Sequence, residues 1–159
     1  MRILIIGNGA REHALTWAIS QNPRCTEIYC SPGNAGTSML ATNVDIDVTS
    51  NSTVIEMCKE YSIDIVVVGP EKQFEQGLTN ALKEKNVLVF GPSREASRLE
   101  TSKSFTKTMC KYKSIPTANY EIFSSGNDAK EFLRVQPKPY VIKADGLAAG
   151  KGVLVSSDF

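Results

Sequence analysis

The residue order of this chain predicts an α/β fold that opens with a doubly wound parallel sheet. Three observations carry that expectation. Short apolar runs stop at glycine: ILII before Gly7, IVVV before Gly69 and VLVF before Gly91. The runs are continuous rather than alternating, as strands buried on both faces are. Stretches of helical spacing separate them, and strands alternating with helices imply right-handed crossovers in a parallel sheet.

The elements follow in order. Residues 2–6 read as a strand and residues 12–20 as a helix, with Ala14, Leu15, Trp17, Ala18 and Ile19 as its apolar positions and Trp17 filling core. Residues 26–30 form a second strand, closed by the loop from Ser31 to Gly36, and residues 43–48 a weaker extended segment. Residues 51–61 place Val54, Met57, Cys58 and Tyr61 at helical spacing, with Thr53 and Glu56 resembling a capping box. Residues 63–68 are the clearest strand; 77–85 read as a helix and 87–90 as a strand. Past Gly91 the texture changes to the opening of a second, α+β domain. Residues 94–113 are helical and polar, with Leu99, Phe105 and Met109 as buried points, and Pro116 ends them. Residues 120–123 read as extended, 127–135 as helical and 140–143 as extended.

Composition excludes several classes. Of 159 residues, 42% are hydrophobic and 22% charged, as in a soluble globular protein, and the net charge is +1 with the lysines dispersed. That argues against a nucleic-acid surface, which clusters its cations on one face. No apolar run nears the roughly 20 residues that cross a bilayer. Cys25, Cys30, Cys58 and Cys110 have no metal-ligand spacing and read as reduced thiols of a cytoplasmic protein.

Two glycine-bearing turns carry the chemistry. PYVIKADGLAAGKGVLV, from Pro139, reads as strand, loop and strand, with Lys143 at the loop's mouth and Gly146, Gly150, Lys151 and Gly152 inside it. Glycine lets backbone N–H groups approach a polyphosphate. The loop is not a Walker loop: Gly146 to Gly150 is one residue short, and Gly152 stands where Ser or Thr would hold magnesium. GNGARE, from Gly7, follows a strand and opens a helix, where main-chain amides and the dipole favour phosphate. Arg11 can add a forked cation. The motif begins as a dinucleotide fingerprint, but Glu12 replaces the third glycine and the second strand ends at Ser31 without a carboxylate, which weakens a nicotinamide reading. An exposed first-turn pair is the plain reading of Arg11 and Glu12. His13, the only histidine, reads as a packing or capping residue, because the dipole disfavours its cation. The loops at Gly7–Gly9, Ser31–Gly36 and Gly69–Glu71 lie at the carboxyl ends of strands and make one candidate site.

The strings GNGAREHAL, PGNAG, VVVGPE, GPSREASRLETSKSFTK, IPTANY and PYVIKADGLAAGKGV occur in this order across nearly the whole chain. Together they resemble the phosphoribosylamine–glycine ligase (glycinamide ribonucleotide synthetase) family of ATP-grasp enzymes of purine biosynthesis. The resemblance implies a Rossmann-like, pre-ATP-grasp domain over residues 1–100 and the start of an ATP-grasp domain over 101–159. It implies ATP, Mg2+, glycine and 5-phosphoribosylamine as ligands, with glycinamide ribonucleotide, ADP and phosphate as products: ATP phosphorylates the glycine carboxylate, and the amine of phosphoribosylamine attacks the acyl phosphate. By resemblance, Lys103 and Lys143 are the paired lysines on the nucleotide phosphates, and Gly146, Ala148, Ala149, Gly150, Lys151 and Gly152 are the mobile lid that excludes water. Gly9, Ala10, Arg11 and Glu12, with Gly33, Asn34 and Glu71, are carried over to phosphoribosylamine. No catalytic side chain is assigned.

The chain also departs from that pattern. Family members are more than twice this length, and their magnesium carboxylates and adenine pocket lie beyond residue 159. The chain alone is therefore expected to bind sugar phosphate without ligating, and to self-associate through the strand edge left at its end. A non-catalytic phosphate-binding or docking module stays open beside the ligase reading. Lys72, Gln73 and Phe74 follow GPE where the family has a Pro-Leu pair, and Asn80 stands where its motif ends in Asp. Ala10 replaces a frequent glycine; a positive φ there would strain alanine by about 1 kcal/mol.

Overall fold

The computed structural model describes residues 1–157. Contacts divide the chain into two units, Met1–Ser97 and Arg98–Phe159. The first runs β1 (Arg2–Gly7), α1 (Ala10–Ser20), β2 (Glu27–Pro32), a 3-10 turn (Thr37–Met39), β3 (Thr42–Asn43), α2 (Asn51–Glu60), β4 (Ile65–Val68), α3 (Glu71–Glu75), α4 (Leu78–Glu84) and β5 (Leu88–Phe90), followed by α5 (Arg94–Thr101). Its five strands lie in the order β3-β2-β1-β4-β5, every pair parallel. The chain steps outward from β1 to β3, then returns to β4 on the other side of β1. The reversal opens a crevice beyond the carboxyl ends of β1 and β4, where such sheets place their ligands.

Both faces of the sheet are covered, which is why its strands read as unbroken apolar runs. Leu4, Ile6, Val66 and Val68 pack on one side with Val54, Met57 and Cys58 of α2 and Leu78 and Leu82 of α4. Ile3, Ile5, Ile28, Cys30 and Val67 pack on the other, against Leu15 and Ile19 of α1. Leu4, Ile5 and Ile6 are wholly buried, each contributing ~1.5–3 kcal/mol relative to exposure.

The structure corrects several expectations for this unit. Trp17 does not fill core: it is 59% exposed, while Glu12 and Thr16 are buried. Helical geometry explains it, since Glu12, Thr16 and Ile19 fall on one face of α1 and Trp17 is turned about 100° from Thr16. The buried Thr16 hydroxyl donates to the Glu12 carbonyl at 2.7 Å, so α1 buries a polar stripe without leaving it unbonded. The cap of α2 is Ser50, whose Oγ accepts the Thr53 N–H, one turn ahead of the expected Thr53–Glu56 box. The extended segment over 43–48 shrinks to β3. A further short helix, α3, precedes the expected one, and Gly77, at φ +82°, separates it from α4. Ala10 is not among the positive-φ residues, so alanine is unstrained there.

The second unit contains α6 (Lys103–Tyr112), α7 (Gly126–Arg134) and an antiparallel hairpin of β6 (Tyr140–Lys143) and β7 (Val153–Ser156), with Lys143 opposite Val153. Ser102 divides the expected single helix over 94–113 by capping α6: its Oγ accepts the Phe105 N–H. Phe105 is half-buried under the Arg98 guanidinium, 4.0 Å from its ring centre, and Met109 is half-buried, but Leu99 is 57% exposed. Residues 120–123 form no strand; Tyr120 instead donates its hydroxyl proton to the Lys107 carbonyl.

Candidate phosphate-binding sites

In the first unit the three loops foreseen at the carboxyl edge are tied together. Gly33 N–H donates to the Gly7 carbonyl at 3.1 Å, joining the β2 loop to the β1 loop. Asn34 reinforces the joint from both ends of its side chain. Its Nδ2 donates to the carbonyls of Asn8 (2.9 Å) and Gly9 (3.1 Å), and its Oδ1 accepts the N–H groups of Gly36 and Thr37. Asn34 is thus saturated by protein groups, and its place is that of a brace. Gly33 has φ +71°, and a side chain there would run into Asn43 and Thr37. The exposed His13 ring lies where a Cβ on Gly36 would be.

Across the crevice, Arg11 reaches from α1 to the end of β4. Its Nη1 donates to the Gly69 carbonyl at 3.1 Å, and Nη1 and Nη2 both lie 3.0 Å from Glu71 Oε1. The Arg11 side chain is 61% exposed, so an anion can reach it from solvent. The backbone N–H of Glu71 itself does most to hold that carboxyl below the ordinary glutamate range; desolvation opposes it, and the Arg11 guanidinium adds to the lowering.

Glu12 is not half of an exposed pair. It is 5% exposed and turned inward, and its Oε2 accepts the Gly9 N–H at 2.7 Å. Glycine has no side chain to answer, so only half of a capping box forms. The same carboxylate fills the space where side chains on Gly7, Gly9 and Gly69 would stand. The Gly9 amide is therefore committed internally.

In the second unit the flap between β6 and β7 is shaped by its glycines. Gly146 (φ +84°) and Gly150 (φ +77°) hold left-handed backbone in open space, and Ala149 joins them at φ 46°. Gly152 is needed for another reason: a Cβ there would lie 2.6 Å from that of Ala148. Ala144 N–H donates to the Gly152 carbonyl at 2.8 Å and closes the base of the loop. Lys143 and Lys151 are exposed, and Lys103, at the first turn of α6, donates from Nζ to the Gly146 carbonyl at 2.8 Å. The unit thus brings Lys103 to the flap, which no periodicity suggested.

Sequence reasoning missed Asp145, Ser102 and Ser104. Asp145 Oδ1 accepts the N–H groups of Ser104 (3.2 Å) and Gly146 (3.0 Å), and Oδ2 accepts the hydroxyls of Ser102 and Ser104. These bonds, the Ser104 hydroxyl foremost, hold the Asp145 carboxyl far below the ordinary aspartate range. The available signal was serine on either side of a lysine that opens a helix, the pattern of an N-cap. Among the described residues no helix is long and apolar enough to cross a membrane, and the four cysteines are free.

Comparison with known proteins places this chain in a family. The model described as phosphoribosylglycinamide synthetase, N domain, matches residues 1–100, and that described as phosphoribosylglycinamide synthetase, ATP-grasp (A) domain, matches residues 101–159. The phosphoribosylamine–glycine ligase of Agrobacterium fabrum is 49% identical over 156 residues, 98% of this chain, and that of Clostridium acetobutylicum is 42% identical over all of it. The chain spans 37% and 38% of those relatives' lengths. The crystal structure of phosphoribosylamine–glycine ligase from Thermotoga maritima superposes with a TM-score of 0.78 at 35% identity, over 99% of this chain and 36% of that one. A biotin carboxylase domain from Hydrogenobacter thermophilus, at 15% identity and TM-score 0.76 over 97% of this chain and 37% of its own, shares the fold alone. With both family models matched in succession and close relatives along its whole length, the chain belongs to the phosphoribosylglycinamide synthetase family.

Proposed function

We propose that this chain supplies the phosphoribosylamine side and the phosphate flap of an ATP-dependent ligase that joins glycine to 5-phosphoribosylamine, yielding glycinamide ribonucleotide, ADP and phosphate in purine biosynthesis. The observation that carries the reading is Arg11 held across the β1–β4 crevice by Glu71 and the Gly69 carbonyl. A forked guanidinium beside a helix N-terminus suits the sugar's phosphate, and the Glu71 carboxylate suits its amine. Gly9 and Ala10 provide the turn, while Glu12, Gly33 and Asn34 shape it from within. Residues 1–100 form the substrate-side domain in this reading and residues 101–159 the opening of the ATP-grasp domain; the change of family model between residues 100 and 101 supports that division.

The flap fits the phosphate end of ATP. Gly146 and Gly150 expose backbone that can approach an anion, and Lys103, Lys143 and Lys151 supply charge. Ala148, Ala149 and Gly152 set the flap's curvature, so that closure over an acyl phosphate would keep water out. When bound, ATP supplies the phosphoryl group that activates the glycine carboxylate. Among the described residues no group of three or more His, Cys, Asp or Glu side chains gathers that could hold a metal ion. A cytoplasmic setting accords with the free cysteines.

Calorimetric titration with ribose 5-phosphate, which keeps the sugar phosphate without the labile amine, tests the substrate side. Saturable binding that salt weakens is expected. Absence of binding by a folded chain, or equal binding by an Arg11→Ala variant, would reject it.

A further inference from the structure

Asp145 belongs to none of the roles above, yet it gathers more hydrogen bonds than any other side chain of the flap. It lies two residues after Lys143 and one before Gly146, and its carboxylate takes both residues that flank Lys103: Ser102 through its hydroxyl at 3.2 Å, and Ser104 through its N–H at 3.2 Å and its hydroxyl. Lys103 is the first residue of α6, so fixing Ser102 and Ser104 fixes the Cα–Cβ direction of Lys103. The Gly146 N–H closes on the same Oδ1, and the Gly146 carbonyl takes the Lys103 ammonium.

From this arrangement we infer that Asp145 is a positioning residue: it pins the root of the flap to the start of α6 and thereby aims Lys103 at the flap. Two consequences follow. A negative charge already sits at the N-terminus of α6, where the dipole favours it, so an incoming phosphate is met by Lys103 rather than by that terminus. The flap also divides into a root, residues 144–146, tied to α6 through Asp145 and the Lys103–Gly146 bond, and a tip, residues 147–151, that those bonds do not reach. The ammonium waits on a carbonyl oxygen, a neutral acceptor that a phosphate anion displaces readily. Asp145 thus deepens the reading of Lys103 as a phosphate contact and rests on that reading.

The test uses the whole 159-residue chain without nucleotide, so its failure and the failure of the ATP reading are separate results. Trace acylation read by mass spectrometry reports the reactivity of Lys103 against Lys130 of α7, and amide exchange reports Ser104 and Gly146. In Asp145→Ala, Lys103 should become about threefold or more reactive relative to Lys130, the scale of one lost hydrogen bond, and both amides should exchange faster. Asp145→Asn keeps an acceptor oxygen for the two N–H groups and should restore most of the protection. Unchanged Lys103 reactivity in the alanine variant would overturn the inference. So would an equal rise at Lys103 and Lys130, which reports general loosening, or an asparagine variant no better than alanine.

Discussion

The carboxylate of Glu12 stands where a side chain on Gly69 would have to go: a Cβ on Gly69 would lie 2.7 Å from Glu12 Cδ. Glu12 lies in the first turn of α1 and Gly69 directly follows β4, so one buried acid sets how closely the two meet. Gly69→Ala should therefore destabilise the first unit by about 1–3 kcal/mol, the usual cost of overpacking, measured by urea unfolding. The cost should shrink in a Glu12→Ala background, since contacting residues couple. A neutral Gly69→Ala would show that the carboxylate yields freely.

Arg11 joins Glu71 on the surface, and exposed pairs of this kind contribute about 0.2–1 kcal/mol. Arg11→Ala should therefore barely move the unfolding midpoint while weakening ribose 5-phosphate at least about tenfold, the scale of a charge-assisted hydrogen bond. Arg11→Lys should recover charge but not the fork, giving intermediate affinity. Lysine binding as well as arginine would mean that only charge is recognised there.

Much of this was legible in the residues, because the strands of a sheet covered on both faces need continuous apolar runs and glycine punctuates their ends. The three-loop site followed from those ends. What escaped was set by tertiary partners. The spacing of α1 gave no sign that Glu12 and Thr16 would be buried in place of Trp17: the Gly9 amide bonds the acid and the helix's own Glu12 carbonyl takes the hydroxyl, so both polar groups turn inward with partners. Nothing in the spacing around Asp145 marked it, because its partners, two serines at the start of α6, lie more than forty positions earlier.

Cys58 offers a pH test. Burial in the α2–β4 core pushes its thiol up to about 11. A raised folded pKa means that the unfolded chain ionises first, so the stabilisation is complete below the unfolded value near 8.5 and is lost as pH rises toward 11. The first unit should lose about 2–3 kcal/mol over that window, measured by urea unfolding at stepped pH. Cys58→Ala should flatten the slope; an identical alkaline slope in that variant would assign the loss to other groups.

Two flap glycines are required for different reasons, and alanine separates them. At Gly146 nothing lies within 4 Å of the missing Cβ, so Gly146→Ala meets only the left-handed backbone at φ +84°, a cost of roughly 1–2 kcal/mol. At Gly152 the backbone imposes no such conformation, but a Cβ would press within 2.6 Å of that of Ala148 and 3.2 Å of that of Ala144. Ala144 donates the bond that closes the loop onto the Gly152 carbonyl, so Gly152→Ala should release the Ala144 amide to exchange while Gly146→Ala leaves it protected. The reverse order of exchange would place the strain at the left-handed Gly146 backbone instead of at the Gly152 contact.

Asn34 permits the sharpest separation of donor from acceptor. Asn34→Asp keeps an oxygen for the Gly36 and Thr37 amides but removes both N–H bonds to the Asn8 and Gly9 carbonyls and turns a second oxygen toward them. Losing those partners should cost about 1–3 kcal/mol, and the β2 loop should come away from the β1 loop. Exchange at Gly33, whose N–H donates to the Gly7 carbonyl, should then accelerate while Gly36 stays protected. Asn34→Ala should expose both amides alike. Equal behaviour of the two variants would mean that the Nδ2 bonds do not join the loops, and the crevice would need another brace.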